Sequence, residues 1–165
     1  MVSIARRAAG RGAASGEPYS SLGQLALSRI RRRLQRGRGQ APWYAGIAEG
    51  DRERLRPLGR RLVALVSEYM TKGARRSHLI DEAREIGHEY GRELVRDRLG
   101  LRDAVEAFTF FRKGLDDSAM ELAQKNDLSS EEAVEVWELL SNLADQVLLA
   151  IAETFEEAET PAVRG

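Results

Sequence analysis

Apolar residues recur every three or four positions along most of the chain, which is the spacing of one face of an α-helix. The pattern runs over about 21–36, 51–70, 78–98, 101–125 and 130–158. No segment alternates apolar and polar residues in the way that a half-buried strand does. We therefore predict an all-α fold of five or six helices that ends in a long C-terminal helix.

Signals that start or interrupt helices lie within and between these runs. Ser129 is followed three residues later by Glu132, which is the pattern of a capping box, so a helix is predicted to begin there. Pro57 lies inside the second run. It predicts a kink or a break, because proline has no amide hydrogen and its ring clashes with the preceding turn.

Two glycines stand four residues apart in the third predicted helix, at Gly87 and Gly91. A glycine inside a helix costs about 1 kcal/mol relative to alanine, so a pair on one face calls for a reason. A missing Cβ lets two helix backbones cross closely. We therefore predict that another helix packs against this face.

The last helix is apolar over more of its circumference than a single buried face requires. Trp137 belongs to its main stripe, and further apolar residues widen that stripe. Such a helix needs cover from two directions, which we expect to be the domain's own core and a second subunit. Phe110 and Gly114 form a second face of the preceding helix that also needs cover. The predicted subunit contacts are Phe110, Gly114, Val136, Leu139 and Leu143.

The length of 165 residues suits one domain. Residues 1–18 are rich in Gly, Ala, Ser and Arg and predict a flexible basic tail, residues 19–159 a single helical domain, and residues 160–165 a disordered C-terminus. The chain has no cysteine, which excludes disulfides and suits a cytoplasmic protein. Its apolar stretches fall short of the ~20 residues that span a bilayer, so no membrane partner is predicted.

The formal net charge is zero, but the charge is unevenly distributed. Residues 1–40 hold nine arginines and one glutamate, whereas acidic residues dominate positions 101–165. Opposite charges at the two ends can attract each other within or between subunits. An alternative hypothesis is a small nucleic-acid-binding regulator that uses Arg29, Arg31, Arg32, Arg33 and Arg36.

No arrangement of residues in the sequence predicts catalysis. His78 and His88 are ten positions apart, which is not the spacing of two ligands on one helical face. The sequence "EIGH" at 85–88 has the letters of a carboxylate-bundle ligand pair but occurs once. We predict a protein that is not an enzyme and has neither a metal site nor a cofactor.

The segment "EAFTFFRKGL" at 106–115 holds three of the four phenylalanines. Helical geometry places Phe108 and Phe111 on the buried stripe, so both are predicted to lie in the core. Arg112 lies beside that stripe, where its guanidinium reaches solvent, pairs with an acid, or faces an anion in a pocket. Under the alternative of a ligand or haem sensor, the pocket is formed by Tyr90, Phe108, Phe111 and Arg112, with His88 as the haem ligand.

Residues 85–115 resemble the amino-terminal domain of stressosome co-antagonist proteins of the RsbR and RsbRD type. The resemblance rests on a glycine–aromatic–glycine helix, a turn into the next helix and an aromatic–Phe–Arg segment. In this chain these are Gly87, Tyr90 and Gly91, then Gly100, Leu101 and Ala104, then Phe110, Phe111 and Arg112. Residues 41–58 are also similar to the family's stretch between its first two helices.

This resemblance implies a globin-like fold without haem, usually a dimer, that serves as a signalling input domain. Its expected partners are a second copy and other signalling proteins of a stress-response pathway. No STAS output domain follows residue 158 in this sequence, which departs from the stressosome proteins. We expect either a free-standing sensor or the input part of a longer product.

Overall fold

The computed structural model describes residues 21–36, 49–70 and 75–159. The predicted basic tail at 1–18 and the predicted disordered C-terminus at 160–165 lie outside the described residues. Within the described ranges the chain is helical and contains no strand, which confirms the predicted all-α class. The helices are α1 (Leu22–Arg36), α2 (Glu49–Tyr69), α3 (Arg76–Arg96), α4 (Leu101–Lys125) and α5 (Ser130–Glu159).

The most extensive contact between helices joins α3 to α5. Gly87 lies against Val147 and Ala150, so that a Cβ built on Gly87 would be 2.7 Å from the Val147 carbonyl oxygen. One turn further along both helices, a Cβ on Gly91 would be 2.6 Å from Thr154 Oγ1. The close approach predicted from the two glycines is confirmed. Because paired positions increase together, the two helices run in the same direction.

Helix α2 packs beside α3 in the opposite direction. Near its middle, Arg61 Nη1 donates to both carboxylate oxygens of Glu89, over 3.1 and 2.9 Å. Earlier in α2, Arg54 approaches Asp97 beyond the end of α3, with 3.7 Å between Nη2 and Oδ1. These ion pairs therefore show that α2 and α3 lie antiparallel.

Helix α4 contacts α1 on one side and α5 on another. A Cβ on Gly114 would be 2.7 Å from Cγ1 of Ile30, so the glycine lets α1 lie directly against α4. On the other side, Arg112 Nη1 donates to Asp145 Oδ1 over 3.0 Å. Helices α4 and α5 form an antiparallel hairpin, and α4 separates α1 from much of α5.

The core draws apolar side chains from all five described helices. Phe108 is 8% exposed, and Phe111 is partly buried against the same cluster, as predicted. The core continues into α2 on both sides of Pro57, through Leu55 and Leu58.

Helix α2 runs without interruption from Glu49 to Tyr69, so of the two outcomes predicted at Pro57 the break is wrong, and the kink stays a prediction. Proline removes a single backbone hydrogen bond, the one that its own amide would donate to the carbonyl of Glu53. Glu53 is exposed, so water can satisfy that carbonyl, while Leu55 and Leu58 hold the helix against the core.

Candidate interaction surface

The start of α5 is fixed by the turn that precedes it. Asp127 has a φ of 50°, in the left-handed region, and turns the chain out of α4. The Ser129 hydroxyl then accepts the amide hydrogen of Glu132 over 3.2 Å and donates to the Glu132 carboxylate over 3.1 Å. The predicted helix start with Ser129 as its N-cap is confirmed, although the Glu132 carboxylate bonds the Ser129 hydroxyl, whereas in a full capping box it accepts from the backbone amide.

These first turns carry large apolar side chains that the chain itself does not cover. Trp137 is 59% exposed and Val134 is 53% exposed. On α4, Met120 is 62% exposed. Exposed apolar residues are common one at a time, but a grouped set that includes tryptophan is typical of a binding surface.

The antiparallel register places these side chains at one end of the α4/α5 hairpin. Arg112 pairs with Asp145, and eight residues further along each helix, in opposite directions, are Met120 and Trp137. Both are therefore at the same level of the hairpin, and Val134 is about one turn away along α5. We call Met120, Val134 and Trp137 the Trp137 patch.

Acidic residues flank this patch on the Val134 side of α5. Glu131, Glu135 and Glu138 are exposed, and they belong to the same outward part of the helix as Val134. The patch is thus an apolar surface with a negatively charged border. A partner that covers it meets both an indole ring and a row of carboxylates.

The prediction that Trp137 lies on the buried stripe is wrong. Because Gly87 packs against Val147 and Ala150 in a parallel helix pair, the start of α3 at Arg76 is level with about residues 136–139 of α5. Trp137 therefore lies at the edge of the cover that α3 provides, and the earlier turns of α5 extend beyond it. Periodicity alone does not show where a neighbouring helix begins, although the glutamates around Trp137 indicate exposure.

The five predicted subunit contacts have different environments. Leu143 is 1% exposed and lies in the core, and Ile30 of α1 packs directly against Gly114. The prediction of a subunit contact is wrong for these two residues, because both are already covered by packing within the chain. Val136 and Leu139 are partly buried against the core, and Phe110 is partly buried. For these three, a role in subunit contact stays a prediction.

The candidate ligand pocket does not form as expected. Phe108, Phe111 and Arg112 line a cavity of about 10 Å³ between α2, α4 and α5. That volume suits about one water molecule, whereas ligand pockets usually span ~300 Å³ or more. Tyr90 is not among the lining residues, and its hydroxyl lies 3.7 Å from where a Cβ on Gly59 would be. Burial raises the pKa of Tyr90 to about 12.

Arg112 adopts the paired arrangement among those considered from the sequence. Its guanidinium donates to Asp145 and lies 3.7 Å from Asp116. Burial raises the pKa of Asp116, while the charge of Arg112 acts in the opposite direction and Asp117 raises it further. Arg112 therefore ties α4 to α5 at the rim of the small cavity.

His88 takes part in a polar contact between α3 and α5. Its Nε2 is 2.8 Å from Glu153 Oε2, and Arg84 Nη2 donates to both oxygens of the same carboxylate over 2.9 and 3.1 Å. The hydrogen bonds from His88 and Arg84 lower the pKa of Glu153.

The haem-ligand alternative is not favoured by this geometry. His88 faces an open groove of about 360 Å³ whose lining residues are charged or polar, and Tyr90, Phe108 and Phe111 are not among them. His78 is exposed and forms a separate pair with Glu82 over 3.0 Å. The two histidines therefore do not converge on one site.

The five arginines proposed for nucleic-acid binding are divided by the fold. Arg29 pairs with Glu121, and Arg33 pairs with Asp117, so both belong to the contact between α1 and α4. The other three are exposed. They are Arg31, Arg32 and Arg36.

Among the side chains of residues 21–36, 53–70 and 75–159, no three His, Asp or Glu are grouped closely enough to hold a metal ion. None of the helices in these ranges combines the length and the apolar character needed to cross a bilayer. The chain matches no protein-family model, no curated protein and no solved structure in our comparisons.

Proposed function

We propose that this chain is a non-enzymatic regulatory input domain of globin-like type, similar to those of the stressosome co-antagonists, which dimerises in the cytoplasm and acts through other signalling proteins. The observation that carries the proposal is the Trp137 patch. Trp137, Val134 and Met120 are each more than half exposed at one end of the α4/α5 hairpin.

Burial of this patch by a second subunit is favourable on physical grounds. Removing apolar surface from water contributes about 25 cal/mol per Å², and an aromatic side chain buries roughly 150–250 Å². Tryptophan is also the residue type most enriched among those that dominate binding energy at interfaces. Trp137 therefore supplies the anchor that a subunit contact needs.

The position of the patch on α5 links partner binding to the domain's interior. The same helix packs through Val147 and Thr154 against the glycines of α3, and through Asp145 against Arg112 of α4. A shift of α5 on binding changes those contacts together. An input domain requires such a route between its partner surface and its core.

The proposal is tested by the mass of the full chain in solution. We expect size-exclusion chromatography with light scattering to show a dimer at concentrations on the order of 10 µM. Trp137→Asp places a charge in the contact and is expected to give a monomer. Leu101→Asp is the matched control, because Leu101 is also an exposed apolar residue but lies at the first position of α4. A monomeric wild-type chain contradicts the proposal.

An absorption spectrum of the freshly purified protein tests the haem-sensor alternative. We expect no Soret band. A Soret band that is lost in His88→Ala overturns the non-haem part of the proposal.

A further inference from the structure

Helix α1 carries exposed arginines that the fold leaves unpaired within the described part of the chain. Arg29 and Arg33 turn toward α4, where Glu121 and Asp117 neutralise them. Arg31, Arg32 and Arg36 are exposed, and none of the three forms an ion pair with a residue that the structure describes. Three guanidinium groups on one short helix create a local positive potential.

A surface of opposite charge borders the Trp137 patch. Glu131 and Glu135 are four residues apart on α5, as Arg32 and Arg36 are on α1. Four residues correspond to about 6 Å along a helix, so two helices laid side by side can match both charge pairs at once. Glu138 extends the acidic row by one more turn.

We propose that Arg32 and Arg36 of α1 dock onto Glu131, Glu135 and Glu138 of α5 in a second copy of this chain, beside Val134. This inference rests on the proposed function and names the surface that the second subunit uses. In a twofold dimer the contact is made twice, since α1 of each copy meets α5 of the other.

The same pairing is not available within one chain. Gly114, Asp117 and Glu121 of α4 face α1, whereas Arg112 and Asp116 line the contact with α5. Helix α4 therefore stands between the basic side of α1 and the acidic start of α5. Pairing of these two surfaces requires a second molecule.

A second copy fits this basic surface better than a nucleic acid does. The formal net charge of the chain is zero, so the molecule as a whole does not attract a polyanion. Glu131, Glu135 and Glu138 on the same molecule would repel phosphates but complement arginines. The existing pairs of Arg29 and Arg33 with α4 show the same arginine–carboxylate chemistry inside the chain.

Charge reversal on each surface tests the contact. In the full-length chain, Arg32→Glu with Arg36→Glu, or Glu131→Arg with Glu135→Arg, is expected to weaken dimerisation on the order of tenfold or more, because like charges then face each other. An equimolar mixture of the two double variants restores complementary pairs in both contacts. We therefore expect the mixture to form a heterodimer about as tight as the wild-type dimer.

The matched control is Arg56→Glu with Arg60→Glu. These exposed arginines have the same spacing on α2 and change the net charge by the same amount. We expect this variant to dimerise like the wild type. Circular dichroism of every variant checks that the helices are retained, and titration between about 50 mM and about 500 mM salt is expected to weaken the wild-type dimer.

The outcomes separate this inference from the proposed function. If Trp137→Asp gives a monomer while both charge-reversed variants still dimerise, the α1–α5 contact is wrong and the dimer proposal stands. If the wild type is a monomer at low salt, both fail. If Arg32→Glu with Arg36→Glu abolishes binding to duplex DNA and leaves the dimer unchanged, the basic surface serves nucleic acid and the inference is overturned.

Discussion

The close packing of α3 against α5 depends on the absence of a Cβ at Gly91. At Gly91, an added Cβ would lie 2.6 Å from Thr154 Oγ1 and 3.2 Å from the carbonyl oxygen of Ile151. The backbone oxygen belongs to a helix and cannot rotate away as a flexible side chain can. The packing between these helices therefore has room for a hydrogen atom at Gly91 but not for a Cβ.

Gly91→Ala is expected to destabilise the protein by about 1–3 kcal/mol, because overpacking outweighs the gain in helix propensity. The matched control is Gly59→Ala in α2, where the nearest atom, the Tyr90 hydroxyl oxygen, would be at an ordinary 3.7 Å. We expect Gly59→Ala to be neutral or stabilising by up to about 1 kcal/mol. Denaturant unfolding measures both, and equal stability of the two variants contradicts the packing assigned to Gly91.

The contact between α3 and α5 is expected to weaken at low pH, because Glu153 is then protonated. Its pKa is lowered by hydrogen bonds from His88 and Arg84, so the folded state favours the carboxylate. The resulting stabilisation is present above the ordinary glutamate pKa of about 4.3 and is lost as the pH falls through the lower pKa of the folded state.

We expect wild type to be more stable than Glu153→Gln above about pH 5, with the difference shrinking below about pH 4. Thermal unfolding of both proteins across this range measures the difference. A difference that stays constant from neutral to acidic pH would rule out the carboxylate as its source.

The residues that the sequence identified correctly are those whose role is local or steric. Ser129 and Glu132 are three positions apart, so their capping bond depends on nothing outside the turn. The close packing at Gly87 and Gly91 requires only that some helix lies against them, whatever its sequence. Trp137 was misplaced because its exposure depends on where α3 begins, and no local pattern encodes that.

At the scale of elements, α5 is the helix on which core and surface meet. Its N-cap, Ser129, holds the first turns in helical form, up to Val134 and Trp137 at the edge of the cover from α3. Without that cap, the amide hydrogens of the first turn lose a partner. The stability of this end of α5 therefore depends on Ser129 more than on packing.

Ser129→Ala is expected to cost about 1 kcal/mol of unfolding free energy, whereas Ser129→Asp keeps an acceptor for the Glu132 amide and costs less. Ser130→Ala is the matched control, since Ser130 is the first residue of α5 and makes no capping bond in the structure. Chemical denaturation compares the three variants. A Ser130→Ala variant as unstable as Ser129→Ala would show that the cap is not the cause.

Helix positions followed from periodicity because each described helix buries one face. The continuity of α2 through Pro57 could not be predicted from periodicity, because the effect of a proline depends on whether packing on both sides holds the helix together. Leu55 and Leu58 provide that packing here. The sequence contains both leucines, but it does not show that they share one core with α3 and α5.

At the scale of the whole molecule, opposite charges are sorted by helix. The basic α1 is partly neutralised by Glu121 and Asp117 of α4, and Arg31, Arg32 and Arg36 are exposed. The start of α5 presents both exposed glutamates and an exposed indole. The sequence predicted this polarity and left open whether it acts within or between subunits. The structure uses it within the chain at α1 and α4, and we propose that the rest acts between copies.

The fluorescence of Trp137 reports directly on whether a second copy covers it. The chain has two tryptophans, so Trp43→Phe leaves Trp137 as the sole tryptophan, which can be excited apart from the tyrosines. If a second copy covers the Trp137 patch, the emission maximum lies to the blue at concentrations on the order of 10 µM and moves to the red on dilution as the dimer dissociates. An emission maximum that is red-shifted and unchanged at every concentration would contradict the account, because the indole would then face water with no partner.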